Sequence, residues 1–275
     1  MSHSLPPYVV IEKFVGETPL QALERYRHDK DYLQNIPIAY AGRLDPMASG
    51  LLVLLLGDEC KRQKEYHDLD KIYRFSILLG VSSDTYDQLG RIYIYEPTQI
   101  SNFIIESEIT KLCNTSITLP YPPFSSKTVQ GKPLYIWTLE NKLHEIEIPT
   151  KTSKIHKINI TKIEKLQAYN IAEDAIKKIN KVKKVTDPRK ALGADFRRQD
   201  AINDWMNFSK NKNKALYQKI DVECICSSGT YMRSIAHYIG KKLETFGIAS
   251  DIHRIKIGNY IESENKLMSL HTNLH

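Results

Sequence analysis

The stretch Tyr40–Lys61 reads YAGRLDPMASGLLVLLLGDECK. It opens as a polar turn, Ala41-Gly42-Arg43-Leu44-Asp45-Pro46, passes through the small-residue step Met47-Ala48-Ser49-Gly50, and becomes an apolar run from Leu51 to Leu56. Pro46 fixes its own φ and biases Asp45 toward an extended backbone. Gly42 and Gly50 allow tight turning or close approach of another chain segment. A carboxylate placed just before a buried element is costly. Alone, RLDP would read as a β-turn with an aspartate corner.

On either side of this stretch the pattern is mostly alternating. Residues 8–14 read as a strand. Thr18 then stands as N-cap with Pro19 at the first helical position. KIYRFSILLG alternates as a strand ending at Gly80, a polar loop VSSDTYDQLGR follows, and IYIYEP forms another strand. Residues 100–112 fit a short helix. The proline-rich LPYPPFSSKTVQGKPLYIWT is an ordered loop leading into a short element. Ile146 and Ile148, then Ile158, Ile160 and Ile163, predict a pair of strands. AEDAIKKINKVKKV predicts a basic amphipathic helix inside an insertion spanning about 168–214. YQKIDVECICS resumes strand alternation. SGTYMRSIAHYIGKKLETFG then places Met232, Ile235, Ala236, Ile239 and Leu243 on one helix face, with Gly247 near its end. HRIKIGNYI is a last strand. Strands dominate without regular βαβ spacing, which predicts an α+β fold on a mixed, largely antiparallel sheet. One catalytic domain over residues 1–275, carrying the insertion, is expected.

Apolar residues make up 41% and charged residues 26% of the 275 positions, the proportions of a globular chain with a real core. The longest apolar run is far short of the roughly 20 residues that span a bilayer. The N-terminus lacks the basic start and apolar middle of a signal peptide, so residence in the cytoplasm is expected. Cys224 and Cys226 sit in an alternating strand and read as buried thiols; without a second pair they are a poor zinc signal, and no disulfide is expected. Net charge is +7. Residues 141–220 hold 19 Lys and Arg against 9 Asp and Glu, a local excess of +10, so the rest carries about −3. A basic segment on a mildly acidic body suggests contact with phosphates.

Four stretches, in order, resemble the TruB family of tRNA pseudouridine synthases: AGRLDPMASGLLVLLLGDECK, KIYRFSILLGVSSDTYDQLGRI, YPPFSSKTVQGKPLY and CSSGTYMRSIAHYIGKKL. EKFVGETPLQAL is loosely similar to the family's opening. The resemblance implies isomerisation of a uridine in RNA to its C-glycoside, with no cofactor and no metal. It makes Asp45 the catalytic carboxylate, acting either as covalent nucleophile or as base in a sugar elimination. Arg233 matches the arginine that pairs with that aspartate, and Tyr73 the tyrosine that stacks on the base. Tyr231 and Ile252 match further contacts in the uridine pocket. Asp84 and Asp87 are expected to hold their loop by hydrogen bonds. Lys13 and Lys127 are candidates for phosphate contact.

Departures from the family pattern bear on substrate range. Tyr40 stands where the family has a histidine that helps hold the target loop, and an aromatic there can still stack. Lys13-Phe14 replaces a lysine-proline. HRIKIGNYI lies close to the last residue given, and no C-terminal RNA-binding (PUA) domain like that of many relatives is expected. The implied partner is the T-arm of tRNA, its target nucleotide flipped out at position 55, with the basic insertion as a clamp. A monomer without an obligate protein partner is expected. Alternatives are a tRNA-binding or folding chaperone of the same fold, or a synthase for another RNA.

Overall fold

The computed structural model describes residues 5–28, 30–97, 99–184, 195, 197–210 and 216–270. The strands are β1 (Tyr8–Lys13), β2 (Ile38–Ala41), β3 (Ser49–Leu56), β4 (Asp70–Leu79), β5 (Val81–Ser83), β6 (Ile92–Ile94) and β7 (Thr115–Pro120). After them come β8 (Thr128–Val129), β9 (Lys132–Pro133), β10 (Thr150–Gln167), β11 (Leu216–Cys226), β12 (Gly247–Ile261) and β13 (Lys266–Ser269). The helices are α1 (Pro19–His28), α2 (Gln63–His67), α3 (Asn102–Thr110), α4 (Leu134–Leu139), α5 (Ala168–Lys181), α6 (Arg198–Ser209) and α7 (Met232–Lys242).

One nine-stranded sheet runs β1-β3-β12-β4-β11-β10-β7, with β2 added on β3 and β13 on β12. Its pairings are antiparallel except β3 with β12, which touch in parallel only at Ser49–His253 and Gly50–Arg254. This is the mixed, largely antiparallel α+β sheet that the alternation predicts. The apolar run of the signature stretch is β3, and Leu52, Val53, Leu54 and Leu55 are fully buried. Its two faces feed two different clusters, one under α1 and one with Val10, Ala41 and Ile257.

β3 places the Asp45 turn. Along one edge its C-terminal half pairs with β2, while its first two residues pair with β12. The connection 42–48 emerges where those two neighbours part. Gly50 is obligatory there: its φ is +106°, and a Cβ would lie 2.3 Å from the Arg254 carbonyl oxygen.

α1 starts as predicted. Thr18 Oγ1 accepts from the Gln21 N–H at 3.2 Å, and Gln21 Oε1 accepts from the Thr18 N–H at 2.8 Å, a reciprocal capping box. α7 carries the predicted apolar face into the largest cluster, against Tyr73, Phe75 and Ile77 of β4. Gly247 does not cap it. The left-handed residue after the helix is Glu244, at φ +54°. Gly247 opens β12, where a Cβ would meet the Ala236 carbonyl oxygen at 2.7 Å.

Two sequence expectations change. Residues 146–149 are not a strand. A single 3₁₀ turn at Leu143–Glu145 leads past Pro149 into β10, one 18-residue strand pairing with β7 at its start and with β11 along its length. Proline supplies no N–H to a ladder, so pairing begins only after it. β7 itself, lying between the predicted helix and the proline-rich loop, was not anticipated. The described part of the insertion packs against the sheet. Trp205 and Phe208 of α6 are fully buried with Ala172 and Ala175 of α5 and with Tyr217 of β11. Lys178 is buried and donates to Asp174, Asp251, the Ser250 carbonyl and Gln88. Truncating Trp205 alone would cost about 3–5 kcal/mol. The remainder of the predicted insertion, 185–194, 196 and 211–214, lies outside the described residues.

Cys224 and Cys226 are buried free thiols in β11, as the alternation predicts. Among the described residues no helix is long and apolar enough to cross a membrane, and no group of three or more potential metal ligands occurs.

Candidate active site

Arg233 enters at the first turn of α7 and is 2% exposed. A buried guanidinium requires acceptors, and it has several. Nε donates to Asp45 Oδ2 at 2.8 Å, Nη1 to the Thr85 carbonyl at 2.8 Å, and Nη2 to the Phe124 carbonyl at 3.3 Å. Asp87 Oδ2 lies 3.7 Å from Nε. The charges of Asp45 and Asp87 outweigh burial and raise the Arg233 pKa, so it stays a cation. Asp45 and Arg233, 188 positions apart in sequence, therefore meet as an ion pair. The Asp45 side chain is 34% exposed, and Oδ1 takes no hydrogen bond from the described residues.

The turn that carries Asp45 is held through its backbone. The Ala48 N–H donates to the Asp45 carbonyl at 3.0 Å, and the Gly16 N–H to the Pro46 carbonyl at 2.8 Å. Lys13, fully buried, donates to the carbonyls of Ala48 at 2.5 Å and Phe14 at 2.9 Å. Arg254, 1% exposed, donates from Nε to the Leu51 carbonyl at 2.7 Å and from Nη2 to the Gly42 carbonyl at 3.0 Å. It thus bridges the gap where β2 and β12 part. His67 Nδ1 accepts from the Gly42 N–H at 3.3 Å. Burial lowers the ammonium pKa of Lys13 to about 8, and that of Lys71, beside Arg254, to about 8.

Across Arg233 lies the turn after β5. Asp87 is buried and accepts from Thr85 Oγ1 at 2.6 Å and from the Leu89 N–H at 2.9 Å. Burial pushes its carboxyl up to about 6 against the pull of Arg233. Asp45, Pro46, Thr85, Asp87, Phe124 and Arg233 border a cavity of about 640 Å³. One wall of it is α1, from Thr18 to Glu24; another is the insertion, through Lys183, Lys184, Arg197 and Arg198.

The other residues singled out from sequence fall in three places. Tyr231 and Tyr73 lie beside Asp45. Tyr231 stands edge-on to Tyr121, with ring centroids 5.5 Å apart, and burial together with the charge of Asp45 pushes its hydroxyl up to about 12. Tyr73 is buried beside Leu44 and Met47, and its hydroxyl accepts from Arg254 Nη1 at 3.4 Å. Burial also raises its pKa. Ile252 is 6% exposed in the same cluster, where it is a core residue. Lys127 is exposed, its ammonium 5.3 Å from the Tyr121 ring centroid.

Tyr40 is half-buried and packs on the α1 cluster; like Tyr73, Tyr231 and Ile252 it does not border the cavity. Lys13 is a correction. Lys13 has no exposed surface to offer a phosphate, and its ammonium is spent on carbonyls.

Sequence reasoning missed Arg254 and the sharing of Arg233 by Asp87. Arg254 left a signal: it occupies the inward register of Ile252, two residues on, where a charge has no place unless it is bonded. Arg43, exposed, hydrogen-bonds Ser126 Oγ across the loops and was also missed.

A family model described as TruB family pseudouridylate synthase, N-terminal domain, matches residues 30–175. The chain is 29% identical to the tRNA pseudouridine synthase B of Blochmanniella pennsylvanica over 82% of its length and 66% of that protein. It is 29% identical to that of Mesomycoplasma hyopneumoniae over 80% of its length and 52% of that protein. The chain therefore spans between half and two thirds of these relatives. Among solved structures it is similar in fold to a chain of a Cbf5-Nop10-Gar1 complex, with a TM-score of 0.51 and 15% identity, over 91% of this chain and 48% of that one.

Proposed function

The chain belongs to the TruB family of pseudouridylate synthases, and from that premise we propose that it converts uridine to pseudouridine in tRNA, at position 55 of the T-arm. The observation that carries the proposal is the Asp45–Arg233 pair at 2.8 Å, bordering a large cavity with the Asp45 side chain 34% exposed. The pair joins a residue inside the family match to one outside it.

The reaction breaks the N1–C1′ bond, turns the uracil, joins C5 to C1′, removes the C5 proton and leaves N1 protonated. It is an isomerisation, with no net redox change. Asp45 supplies the carboxylate at the sugar, as nucleophile or as base. Arg233 pairs with that carboxylate and fixes its aim. Tyr73 and Tyr231 offer an aromatic contact to the loosened base, and Ile252 an apolar one. The target nucleotide reaches the site only when flipped out of its arm. Lys127 and the insertion residues Lys183 and Lys184, exposed near the mouth, supply phosphate contacts to the folded arm. The protein acts as a monomer in the cytoplasm.

The test is pseudouridine formation in unmodified tRNA transcripts, mapped by position, for wild type and Asp45→Asn. Conversion of a T-arm uridine by the wild type alone is expected. Tight tRNA binding without conversion by either protein would overturn the reaction and favour an RNA-binding or chaperone role.

A further inference from the structure

Arg233 is steadied by two carbonyls on separate segments: Thr85, in the turn after β5, and Phe124, in the loop before α4. Arg197 contacts both segments. Its Nη1 donates to Asp84 Oδ2, on the residue before Thr85. Its guanidinium carbon lies 4.6 Å from the centroid of the Phe124 ring. One planar cation thus ties together the two chain segments whose carbonyls hold Arg233.

Arg197 stands on a firm base. The next residue, Arg198, donates to the carbonyls of Ile179 at 2.8 Å and Val182 at the end of α5. α6 begins there and buries Trp205 and Phe208. Asp84 is fixed from its other oxygen, which accepts the Arg91 N–H at 3.0 Å, and the Arg91 side chain pairs with Asp204 of α6 at 2.5 Å. The Arg197 backbone has φ +56°, ψ +28°. Arginine rarely adopts this left-handed conformation, and it persists where the surroundings dictate it.

We propose that Arg197, supplied by the insertion, is a positioning residue for the Arg233–Asp45 pair, acting through Asp84–Thr85 and through Phe124. The insertion then has a second task besides phosphate contact: it sets the outer layer of the catalytic pair. This inference rests on the reaction proposed above.

Arg197 also borders the cavity, so a simple phosphate contact is the competing role. Single-turnover conversion at saturating enzyme, measured beside tRNA affinity, separates the two. Arg197→Ala should slow conversion about tenfold, as a small misplacement of a catalytic group does, with affinity changed no more than about twofold. Asp84→Asn should give a similar loss, and the double variant should be no slower than the slower single one. Arg197→Lys, which keeps the ion pair but not the stacking, should fall between wild type and Arg197→Ala. An unchanged rate at saturation with weakened binding would overturn the inference, as would losses that multiply in the double variant. If Arg197→Ala does not fold, Asp84→Asn and Arg197→Lys still decide it. A wild type that forms no pseudouridine would overturn the reaction itself; a converting wild type matched by Arg197→Ala would overturn only the role of Arg197.

Discussion

Two aspartates face the Arg233 guanidinium from two loops. Asp45 lies 2.8 Å from Nε with 34% of its side chain exposed, and Asp87 lies 3.7 Å away with 5% exposed. Their loops are held in opposite ways. The Asp87 loop is held by its carboxylate, which takes the Leu89 N–H and the Thr85 hydroxyl. The Asp45 turn is held by its carbonyls, which take buried cations from Lys13 and Arg254. One carboxylate is spent on fixing the backbone; the other is fixed by groups that leave it free. The same side chain therefore serves two roles, set by what surrounds it.

The variant that should break this contrast most is Asp45→Asn. Conversion should fall at least about a thousandfold, as for other residues acting directly on the reacting bonds, while the thermal midpoint stays within a few degrees. A midpoint drop with residual activity would mean that Asp45, like Asp87, mainly holds structure.

Next is Arg254→Met, which removes the cation that bridges the gap beneath the Asp45 turn. Leaving the Leu51 and Gly42 carbonyls without partners should cost about 2–4 kcal/mol in denaturant unfolding. A loss under about 1 kcal/mol would show that the turn holds itself.

Asp87→Asn sharpens the comparison through pH. Burial raises the folded pKa of Asp87 from 3.8 to about 6, so the folded state binds its proton more tightly than the unfolded state. Its contribution to stability is therefore full below the unfolded value and lost as pH rises through about 6. Relative to Asp87→Asn, the wild type should lose on the order of 2–3 kcal/mol between pH 4 and pH 6. Parallel stability curves for the two proteins would refute the burial argument.

The smallest effects belong to the exposed lysines. Lys127→Ala, Lys183→Ala and Lys184→Ala should each weaken tRNA binding about threefold and reduce the salt slope by about one, with conversion at saturation unchanged. An unaltered slope would remove that lysine from the RNA contact.

The N-cap at Thr18, the apolar strand β3, the face of α7 and the buried thiols of β11 were legible because each follows from local spacing and propensity. Asp45 and Arg233 were legible because their neighbours form recognisable stretches. Other features were not. Pro149 and the distant partner β7 made one long strand where two had been expected from alternating isoleucines. Lys13 read as a surface cation because nothing in its neighbours shows that the turn at Ala48 closes over it. The hydrogen bonds by which Asp87 holds its loop were legible, but its approach to Arg233 and the roles of Arg254 and Arg197 come from distant segments, with Thr85 and Phe124 reaching Arg233 across 148 and 109 positions. The sequence by itself determined most strands and helices, and its resemblance to a known family put Asp45 and Arg233 together. Only the tertiary structure decided which cations are buried, which aspartate is spent and which stays open. Those outcomes depend on strand register, on the parting of β2 from β12 and on the seating of the insertion, and no local pattern encodes the desolvation they impose.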